Sequence, residues 1–216
     1  MIKDHSNLDD SGNLFFIDVE TTGSCPLSNG INQFGLTVVN SDLEIIDTYS
    51  ANVRPPMLNH KTWSKGAEEI HKITFEETMS FMSNKDFCLE LLWFMKKYKH
   101  KNNLPLKFVC HASENKFFNA EEKEMVMGWI DYNFLEWAFK KEGFEDSFWK
   151  IFSEQNRVST LTMCNKMGFK KNKLKHWIER LGLDLNNHNA LDDSIATFHL
   201  YKYIVNYTGA NGPLFA

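Results

Sequence analysis

The chain has 216 residues, 43% of them hydrophobic, and a formal net charge of -4 at pH 7. This length and hydrophobic fraction are enough to bury one substantial core, so we expect one compact domain. The acidic balance argues against a protein that coats nucleic acid through a broad basic surface, although it leaves a localised binding cleft open.

Three strands are predicted in the first quarter of the chain, over residues 14–17, 31–40 and 45–53. The first is a short apolar run that predicts a buried strand and delivers Asp18 and Glu20 at its C-terminal end. Turn residues separate the three strands, which favours an antiparallel meander. Pro55 and Pro56 end the third strand, because proline cannot donate to a central ladder.

Helices are predicted over residues 87–98, 131–141, 174–181 and 190–205, with a further strand over residues 106–110. Gly182 follows the third helix in the position of a C-terminal cap. Strands therefore come early and helices late, which predicts an α/β domain with a mixed sheet. Without a repeat or linker, we expect residues 1–216 to form a single domain with a core at about 14–205 and a loose tail over 206–216.

The four cysteines are widely scattered and contain no C-x-x-C pair, so the sequence predicts neither a zinc knuckle nor a disulfide framework. No apolar run is long enough to span a bilayer, and the first thirteen residues are polar where a secretory signal would need an apolar segment. We therefore expect a soluble, cytoplasmic protein with no membrane partner.

Asp18 and Glu20 lie two residues apart on the first predicted strand, so their side chains point to the same face. Two neighbouring carboxylates repel each other unless a cation lies between them, which favours a divalent metal site. An acidic pair at the end of a strand is also typical of solvated surface, so the pair alone leaves both interpretations open.

A second candidate group lies at residues 188–193, where His188 precedes a predicted helix and Asp193 falls in its first turns. A histidine beside a carboxylate suits base and metal chemistry near the positive end of a helix dipole. Polar residues before a helix are equally typical of N-terminal capping. Pairing this group with the N-terminal carboxylates favours the chemical interpretation.

These groups resemble the first and third motifs of the DEDDh exonuclease family, which includes ribonuclease T and the proofreading subunit of bacterial DNA polymerase III. The matching stretches, in the family's order, are DVETTG at 18–23, INQFG at 31–35, AEEIHKIT at 67–74 and HNALDD at 188–193. The resemblance runs from about Leu14 to Tyr203, which is nearly the whole chain. Several ordered motifs make a chance match improbable.

The resemblance implies an α/β, ribonuclease H-like fold with a mixed five-stranded sheet flanked by helices. It also implies a metal-dependent 3′-to-5′ exonuclease that acts on single-stranded DNA or RNA 3′ ends and releases nucleoside 5′-monophosphates. Two divalent cations, Mg²⁺ or Mn²⁺, are implied as cofactors, which agrees with hard carboxylate ligands.

The family's second motif is split in this sequence. VCHAS at 109–113 resembles its first half and IDYNFL at 130–135 resembles its second half, so residues 114–129 form an apparent insertion. We assign the missing carboxylate to Asp131, because it keeps the D-x-x-F-L spacing at the start of a predicted helix. Glu114, directly after the strand, is the alternative.

The resemblance assigns metal binding to four residues, which are Asp18, Glu20, Asp131 and Asp193. His188 would be the general base, since imidazole titrates near neutrality. The family places the turns of Thr21, Thr22 and His71 beside the active site, which makes these residues candidates for holding the terminal nucleotide. His71 can equally be interpreted as a packing residue.

Three further features bear on the site. Gln33 stands where many relatives carry glutamate, and Ser159 stands where many carry aspartate, but neither change removes one of the four carboxylates. The KKNKLK stretch at 170–175 is compatible with phosphate contacts and also with an ordinary solvated helix start. Most of the 18 phenylalanines are expected in the core.

Two alternative functions stay open on the sequence. One is a catalytically impaired nucleic-acid-binding module of the same fold, which the split motif suggests. The other is a short-oligonucleotide phosphodiesterase that uses the same site. The sequence decides neither DNA against RNA nor whether the chain forms a homodimer or joins a larger replication, repair or RNA-processing assembly.

Overall fold

The computed structural model describes residues 12–98, 106–112, 114–119, 124–152 and 156–211. Its strands are β1 (Leu14–Thr21), β2 (Ile31–Val39), β3 (Ile45–Arg54), β4 (Met82–Ser83), β5 (Lys107–Cys110), β6 (Glu114–Asn119), β7 (Glu124–Trp129) and β8 (Arg157–Ser159). Six of them form one mixed sheet in the order β4-β3-β2-β1-β5-β8, and β6 pairs with β7 as a separate hairpin. The predicted α/β class with a mixed sheet is confirmed.

The predicted antiparallel meander is also confirmed, because β1 pairs with β2 and β2 with β3 in antiparallel register. On the other side of β1, β5 and then β8 run parallel. β3 ends at Arg54, directly before the two prolines, as expected. The parallel side of the sheet places the C-terminal ends of β1 and β5 at the same edge.

The helices are α1 (Lys65–His71), α2 (Phe75–Met79), α3 (Asn84–Lys96), α4 (Ile130–Lys141), α5 (Glu145–Ile151), α6 (Thr160–Lys166), α7 (Leu174–Leu181) and α8 (Ala190–Asn211). The predicted bounds of α7 agree with the structure, and Gly182 closes it at a φ of 64°. Glycine adopts this left-handed conformation without a steric cost, which explains why the helix ends there.

Helices cover both faces of the sheet. Side chains of α3 and α4, including Phe87, Leu91 and Phe139, pack with Phe15 and Ile17 of β1 in the largest hydrophobic cluster. On the opposite face, α8 covers β1 through a second cluster of buried side chains, which includes Leu14, Phe16, Phe198 and Tyr201. β1 is therefore buried on both faces, as its continuous apolar run predicts.

The strand count differs from the predicted five. The sheet has six strands because β4 contributes two residues at its outer edge, while β8 extends the parallel side by three residues. Elements this short carry no readable alternation of apolar and polar residues, so hydrophobic periodicity cannot reveal them.

The segment predicted as an insertion, residues 114–129, contains the β6–β7 hairpin. Glu114 pairs with Trp129 at the base of the hairpin, so the chain leaves the end of β5 and returns directly to the start of α4. The hairpin therefore separates the two halves of the split motif along the sequence. Because its two strands are paired, the end of the first half and the start of the second half still lie close together.

The loose tail expected from residue 206 requires correction. Helix α8 continues to Asn211, whereas residues 212–216 lie outside the described part of the chain. Tyr207 packs its ring against Phe169 and Tyr203 at centroid distances of 6.1 and 6.0 Å, which gives the last turns a tertiary contact that the sequence pattern did not indicate.

Two expectations on bulk features can be compared with the structure. Cys25, Cys88, Cys110 and Cys164 are free thiols, in agreement with the absence of a disulfide pattern. In the described part of the chain, every helix is too short or too polar to cross a membrane.

Candidate active site

Asp18 and Glu20 lie at the end of β1, where the face of the strand that packs against α8 changes from apolar to acidic. Leu14 and Phe16 occupy the same alternating positions further back and pack against α8. Burial of these two apolar side chains fixes the register of β1, since a slip of one residue would turn both carboxylates toward the other face. The hydrophobic pattern of the strand therefore positions the acidic pair.

Asp131 is buried in the first turn of α4. Burial raises the pKa of its carboxyl, and the backbone of Asp131 itself, the backbone of Val19 and the Cys110 thiol oppose that rise. The Cys110 thiol donates to the Val158 carbonyl at 3.9 Å. Burial raises the pKa of Cys110, so its sulfur stays a donor at neutral pH.

Asp193 lies in the first turn of α8 and is buried. Its Oδ2 accepts a hydrogen bond from the backbone N–H of His188 at 3.0 Å, while its Oδ1 is buried without a hydrogen-bond partner among the described residues. The neighbouring Asp192 points elsewhere, because its Oδ2 accepts from the backbone N–H and the side-chain amide of Asn186. Only the second of the two adjacent aspartates therefore belongs to the cluster.

The four carboxylates repel one another electrostatically. Burial, followed by the charges of Asp131, Asp193 and Glu20, raises the pKa of Asp18 well above its ordinary range. Burial is also the main cause that raises the pKa of Glu20 to about 8, of Asp131 to about 7 and of Asp193 to about 6. Four such groups cannot all be ionised at neutral pH without compensating positive charge.

The residues present fit a divalent cation. The buried Oδ1 of Asp193 has no hydrogen-bond partner in the described structure. Ligand atoms of Glu20, His188 and Asp193 all lie within 4.8 Å of one another. Carboxylate oxygens are the ligands that Mg²⁺ and Mn²⁺ prefer, and positive charge between them would relieve the repulsion.

His188 lies at the mouth of this cluster. Its Nδ1 is 4.0 Å from Glu20 Oε1, and its side chain is 47% exposed. Partial burial and the nearby ammonium of Lys175 lower the pKa of the imidazole, which favours the neutral form at pH 7. The residue has a φ of 67°, an unusual conformation for a residue with a side chain, and its N–H bond to Asp193 helps to hold it.

The N-terminus of α8 is fixed against β2 by close contacts. Gln33 Oε1 accepts a hydrogen bond from the backbone N–H of Ala190 at 2.8 Å, and its Nε2 donates to Asn52 at 3.2 Å. At Gly35, a Cβ atom would lie 2.1 Å from the carbonyl oxygen of Ala190. The Gln33 side chain is therefore a link between the sheet and the helix that carries Asp193.

The three candidate substrate-binding residues differ in their exposure and in their hydrogen bonds. Thr22 is buried, and its hydroxyl accepts from the Gly30 N–H at 3.1 Å, so its side chain supports the turn. Thr21 is partly exposed, and its hydroxyl donates to the Gly23 carbonyl at 2.7 Å. His71 is buried, and its Nδ1 accepts from the Ile73 N–H at 3.0 Å.

His71 also links two parts of the site. Its Nε2 lies 3.2 Å from the side-chain amide of Asn32. Burial lowers the pKa of the ring, and the nearby backbone of Thr21 opposes that shift. Because Nδ1 is an acceptor, Nε2 carries the proton, which means that Asn32 presents its oxygen to the ring. The packing interpretation of His71 thus agrees with its contacts, and it braces the turn after Glu20.

Glu114, the alternative to Asp131, begins β6, and its side chain lies outside the described part of the chain. The structure brings ligand atoms of Glu20, Asp193 and His188 within 4.8 Å of one another. Asp18 and Asp131 lie close enough to this group for the charges of Asp131, Asp193 and Glu20 to raise the pKa of Asp18, after burial itself. Sequence reasoning missed Cys110 and His111, which lie within the first half of the split motif. Their position within that motif was the only available signal, because a lone cysteine or histidine carries little information.

Comparisons with known proteins agree with this geometry. A family model described as exonuclease, RNase T, matches residues 15–201. Among solved structures, the chain is similar to Escherichia coli exonuclease I in complex with a dT13 oligonucleotide, with a TM-score of 0.69 and 17% identity over 93% of this chain and 42% of that one. A comparison with curated proteins finds no match.

Two further solved structures are matched over most of their own length as well as over most of this chain. The nuclease domain of 3′hExo, a DEDDh family member bound to rAMP, has a TM-score of 0.67 and 18% identity over 92% of this chain and 94% of that one. A 3′-exonuclease that recognises the 3′ end of a histone mRNA stem-loop has a TM-score of 0.64 and 17% identity over 91% and 83%.

Identities this low establish the fold alone, and the chain spans less than half the length of exonuclease I. The family model covers most of the chain and includes all four clustered carboxylates and His188. The protein therefore belongs to the RNase T exonuclease family.

Proposed function

We propose that this protein hydrolyses phosphodiester bonds of DNA or RNA from the 3′ end and releases nucleoside 5′-monophosphates in a metal-dependent reaction. The observation that carries the proposal is the convergence of four carboxylates from β1, α4 and α8 beside a partly exposed histidine. Membership of this family implies use of a divalent metal ion. We further propose that two ions bind and that they are Mg²⁺ or Mn²⁺.

In this proposal Asp18, Glu20, Asp131 and Asp193 hold the ions. Bound divalent cations supply an activated water and neutralise the charge that develops on the phosphoryl group during in-line displacement. The protein contributes a rigid donor set. Asp18 and Glu20 are fixed by the strand, Asp131 by its buried position in the first turn of α4, and Asp193 by the His188 N–H.

His188 is proposed as the general base that accepts the proton of the attacking water. Its imidazole is neutral at pH 7, because partial burial and Lys175 lower its pKa, and a neutral ring has a nitrogen free to take a proton. The exposed fraction of its side chain leaves it accessible from solvent. The left-handed backbone at this position, held by Asp193, orients the ring toward Glu20.

We propose that the terminal nucleotide lies against the turn at Thr21 and the neighbouring His71. Thr22 stabilises that turn through the hydrogen bond that its hydroxyl accepts from the Gly30 N–H. Ile70 is 52% exposed beside His71 and offers an apolar surface for a base or sugar. A cytoplasmic location and a homodimer or larger assembly stay predictions, as does the choice between DNA and RNA.

The experiment that tests this proposal uses 5′-labelled single-stranded DNA and RNA oligonucleotides with Mg²⁺, Mn²⁺ or EDTA. We expect a ladder of shortened, labelled products only with metal. Asp193→Asn should reduce the rate about 1,000-fold, because loss of a ligand removes several kcal/mol of transition-state stabilisation. Asp192→Asn is the matched control and should keep most activity, since the Asp192 carboxylate accepts a hydrogen bond from the Asn186 N–H and lies outside the cluster.

Other outcomes point to the alternatives. Oligonucleotide binding without shortening under any metal condition would identify an inactive binding module. Hydrolysis of dinucleotides without attack on longer strands would identify a small-substrate phosphodiesterase. Equal loss of activity in the two aspartate variants would contradict the proposed ligand set.

A further inference from the structure

Residues 170–175, here called the basic segment, carry four lysines in six positions of a chain whose net charge is -4. All four side chains, on Lys170, Lys171, Lys173 and Lys175, are exposed. Within the part of the chain that the structure describes, none of them forms an ion pair with a carboxylate. The segment is therefore a concentrated patch of uncompensated positive charge.

A partly buried histidine, His111, fixes this segment to the end of β5. The Nε2–H of His111 donates to the carbonyl of Asn172 at 2.7 Å, and its Nδ1 lies 2.9 Å from Thr160 Oγ1. Burial lowers the pKa of His111 to about 4, so the ring is neutral and makes one bond as donor and one as acceptor. The Asn172 side chain also bonds Asn165. The backbone of the basic segment is thus held in place.

Two separate observations place the basic segment near the carboxylate cluster. His111, which bonds the segment, directly follows Cys110 at the end of β5, and Cys110 lies close enough to Asp131 for each to shift the other's pKa. At the other end of the segment, the Lys175 ammonium acts electrostatically on His188. The segment therefore borders the cluster on the side of His188.

We infer that the basic segment binds the phosphodiester backbone of the substrate strand on the 5′ side of the bond that is cut. This inference rests on the proposed function. An enzyme that removes one terminal nucleotide has a single nucleoside on the 3′ side, so several phosphates can meet several lysines only on the 5′ side. Unpaired lysines bind phosphates with release of counterions, and the segment needs no base contacts to do so.

The test compares two charge reversals that change the net charge equally. Lys171→Glu/Lys173→Glu alters the basic segment and leaves Lys175 unchanged, because its charge acts on His188. Lys107→Glu/Lys150→Glu is the matched control: both side chains are exposed, and Lys107 begins β5 opposite Leu14, at the end of the sheet away from Glu20. Lys173 makes no side-chain cap bond to α7, so its replacement removes no cap.

Each variant is assayed on a twelve-residue thymidine oligonucleotide and on thymidine 5′-monophosphate p-nitrophenyl ester, which has one phosphodiester and no 5′ strand. For the segment variant we expect kcat/KM on the oligonucleotide to fall on the order of 10-fold at low salt, through KM, with the ester unchanged. The slope of log binding constant against log salt, measured by fluorescence anisotropy in EDTA, should decrease by about 0.7 for each phosphate that the variant no longer neutralises.

The inference is overturned if the segment variant matches the control on the oligonucleotide, or if it loses activity equally on both substrates. If the wild type cleaves both substrates and the two charge-reversed variants behave alike, the inference is overturned and the proposed function stays intact. Wild-type protein that cleaves neither would sink the proposed function, whereas the anisotropy measurement would still show whether the segment binds a strand.

Discussion

Asp131 is the carboxylate that depends most on its surroundings. It is 4% exposed, and its pKa is raised to about 7 by burial, while the Val19 N–H and the Cys110 thiol oppose that rise. A buried carboxylate in this setting is costly unless it is protonated or near a cation. Such a group is more readily explained by metal binding than by folding alone.

Asp131→Asn should reduce nuclease activity about 1,000-fold, since it removes a proposed ligand while an amide of the same shape stays in place. The same change should raise the melting temperature of the metal-free protein at pH 8, because it removes a repelled, buried charge. Thermal unfolding with and without Mn²⁺ measures both the stability and the stabilisation by metal.

Glu114→Gln is the matched comparison for that variant, because Glu114 competes for the same role in the split motif. It should keep its activity and its stabilisation by metal. The opposite pattern, with activity lost in Glu114→Gln and kept in Asp131→Asn, would move the second-motif carboxylate to the base of the hairpin.

At the scale of elements, the site depends on how closely α8 approaches β2. Gly35 permits this approach, Gln33 bonds the first helical N–H, and Thr37 bonds Ser194 through their hydroxyls at 2.7 Å. These three contacts come from one face of β2 and act on the first turns of α8. They set the position of Asp193 relative to the carboxylates on β1.

Gly35→Ala should therefore displace the start of α8, because the added Cβ would lie 2.1 Å from the Ala190 carbonyl oxygen and 2.4 Å from the Leu191 nitrogen. We expect a destabilisation of about 1–3 kcal/mol from overpacking and a loss of activity on the order of 100-fold from a misplaced ligand. Urea unfolding and the oligonucleotide assay measure the two effects.

Gly66→Ala is the control for this substitution. Its added Cβ meets nothing closer than Ser64 Oγ at 3.7 Å, and alanine favours the helix in which Gly66 lies. It should be neutral or slightly stabilising. Similar effects of the two substitutions would show that close packing of α8 on β2 does not position the site.

For the whole molecule, the carboxylate cluster couples folding to pH and to metal. A carboxyl group whose folded pKa is raised binds more protons in the folded state than in the unfolded state. Its contribution to stability is therefore fully present below the unfolded pKa and is lost as pH rises through the folded pKa. For this cluster the window runs from about 4, the ordinary carboxyl value, to about 8, the value for Glu20.

Metal-free protein should thus lose on the order of a few kcal/mol of unfolding free energy between pH 5 and pH 8. Saturating Mg²⁺ or Mn²⁺ should reduce that loss, because the cation binds the ionised carboxylates of the folded state. Asp18→Asn should flatten the metal-free profile. Stability that rises over this range in EDTA would contradict the arrangement of the four groups.

The sequence by itself determined the local elements that carry the site. The apolar runs of β1 to β3, the cap at Gly182 and the start of α8 all follow from patterns within a few residues, so they could be predicted without the fold. The acidic pair on β1 and the group at His188 were visible for the same reason, since their spacing within one element gives them a common face. The short strands β4 and β8 could not be predicted, because two or three residues show no alternation of apolar and polar side chains.

Only the tertiary structure decided how these elements meet. The Asp131 carboxylate, the Asp193 carboxylate and the end of β1 come together through sheet order, strand register and the close packing of α8, none of which is written in adjacent residues. The same holds for the bond from His111 to Asn172, which joins positions 61 residues apart. Spacing along a chain fixes direction within an element, whereas distance between elements depends on long-range packing.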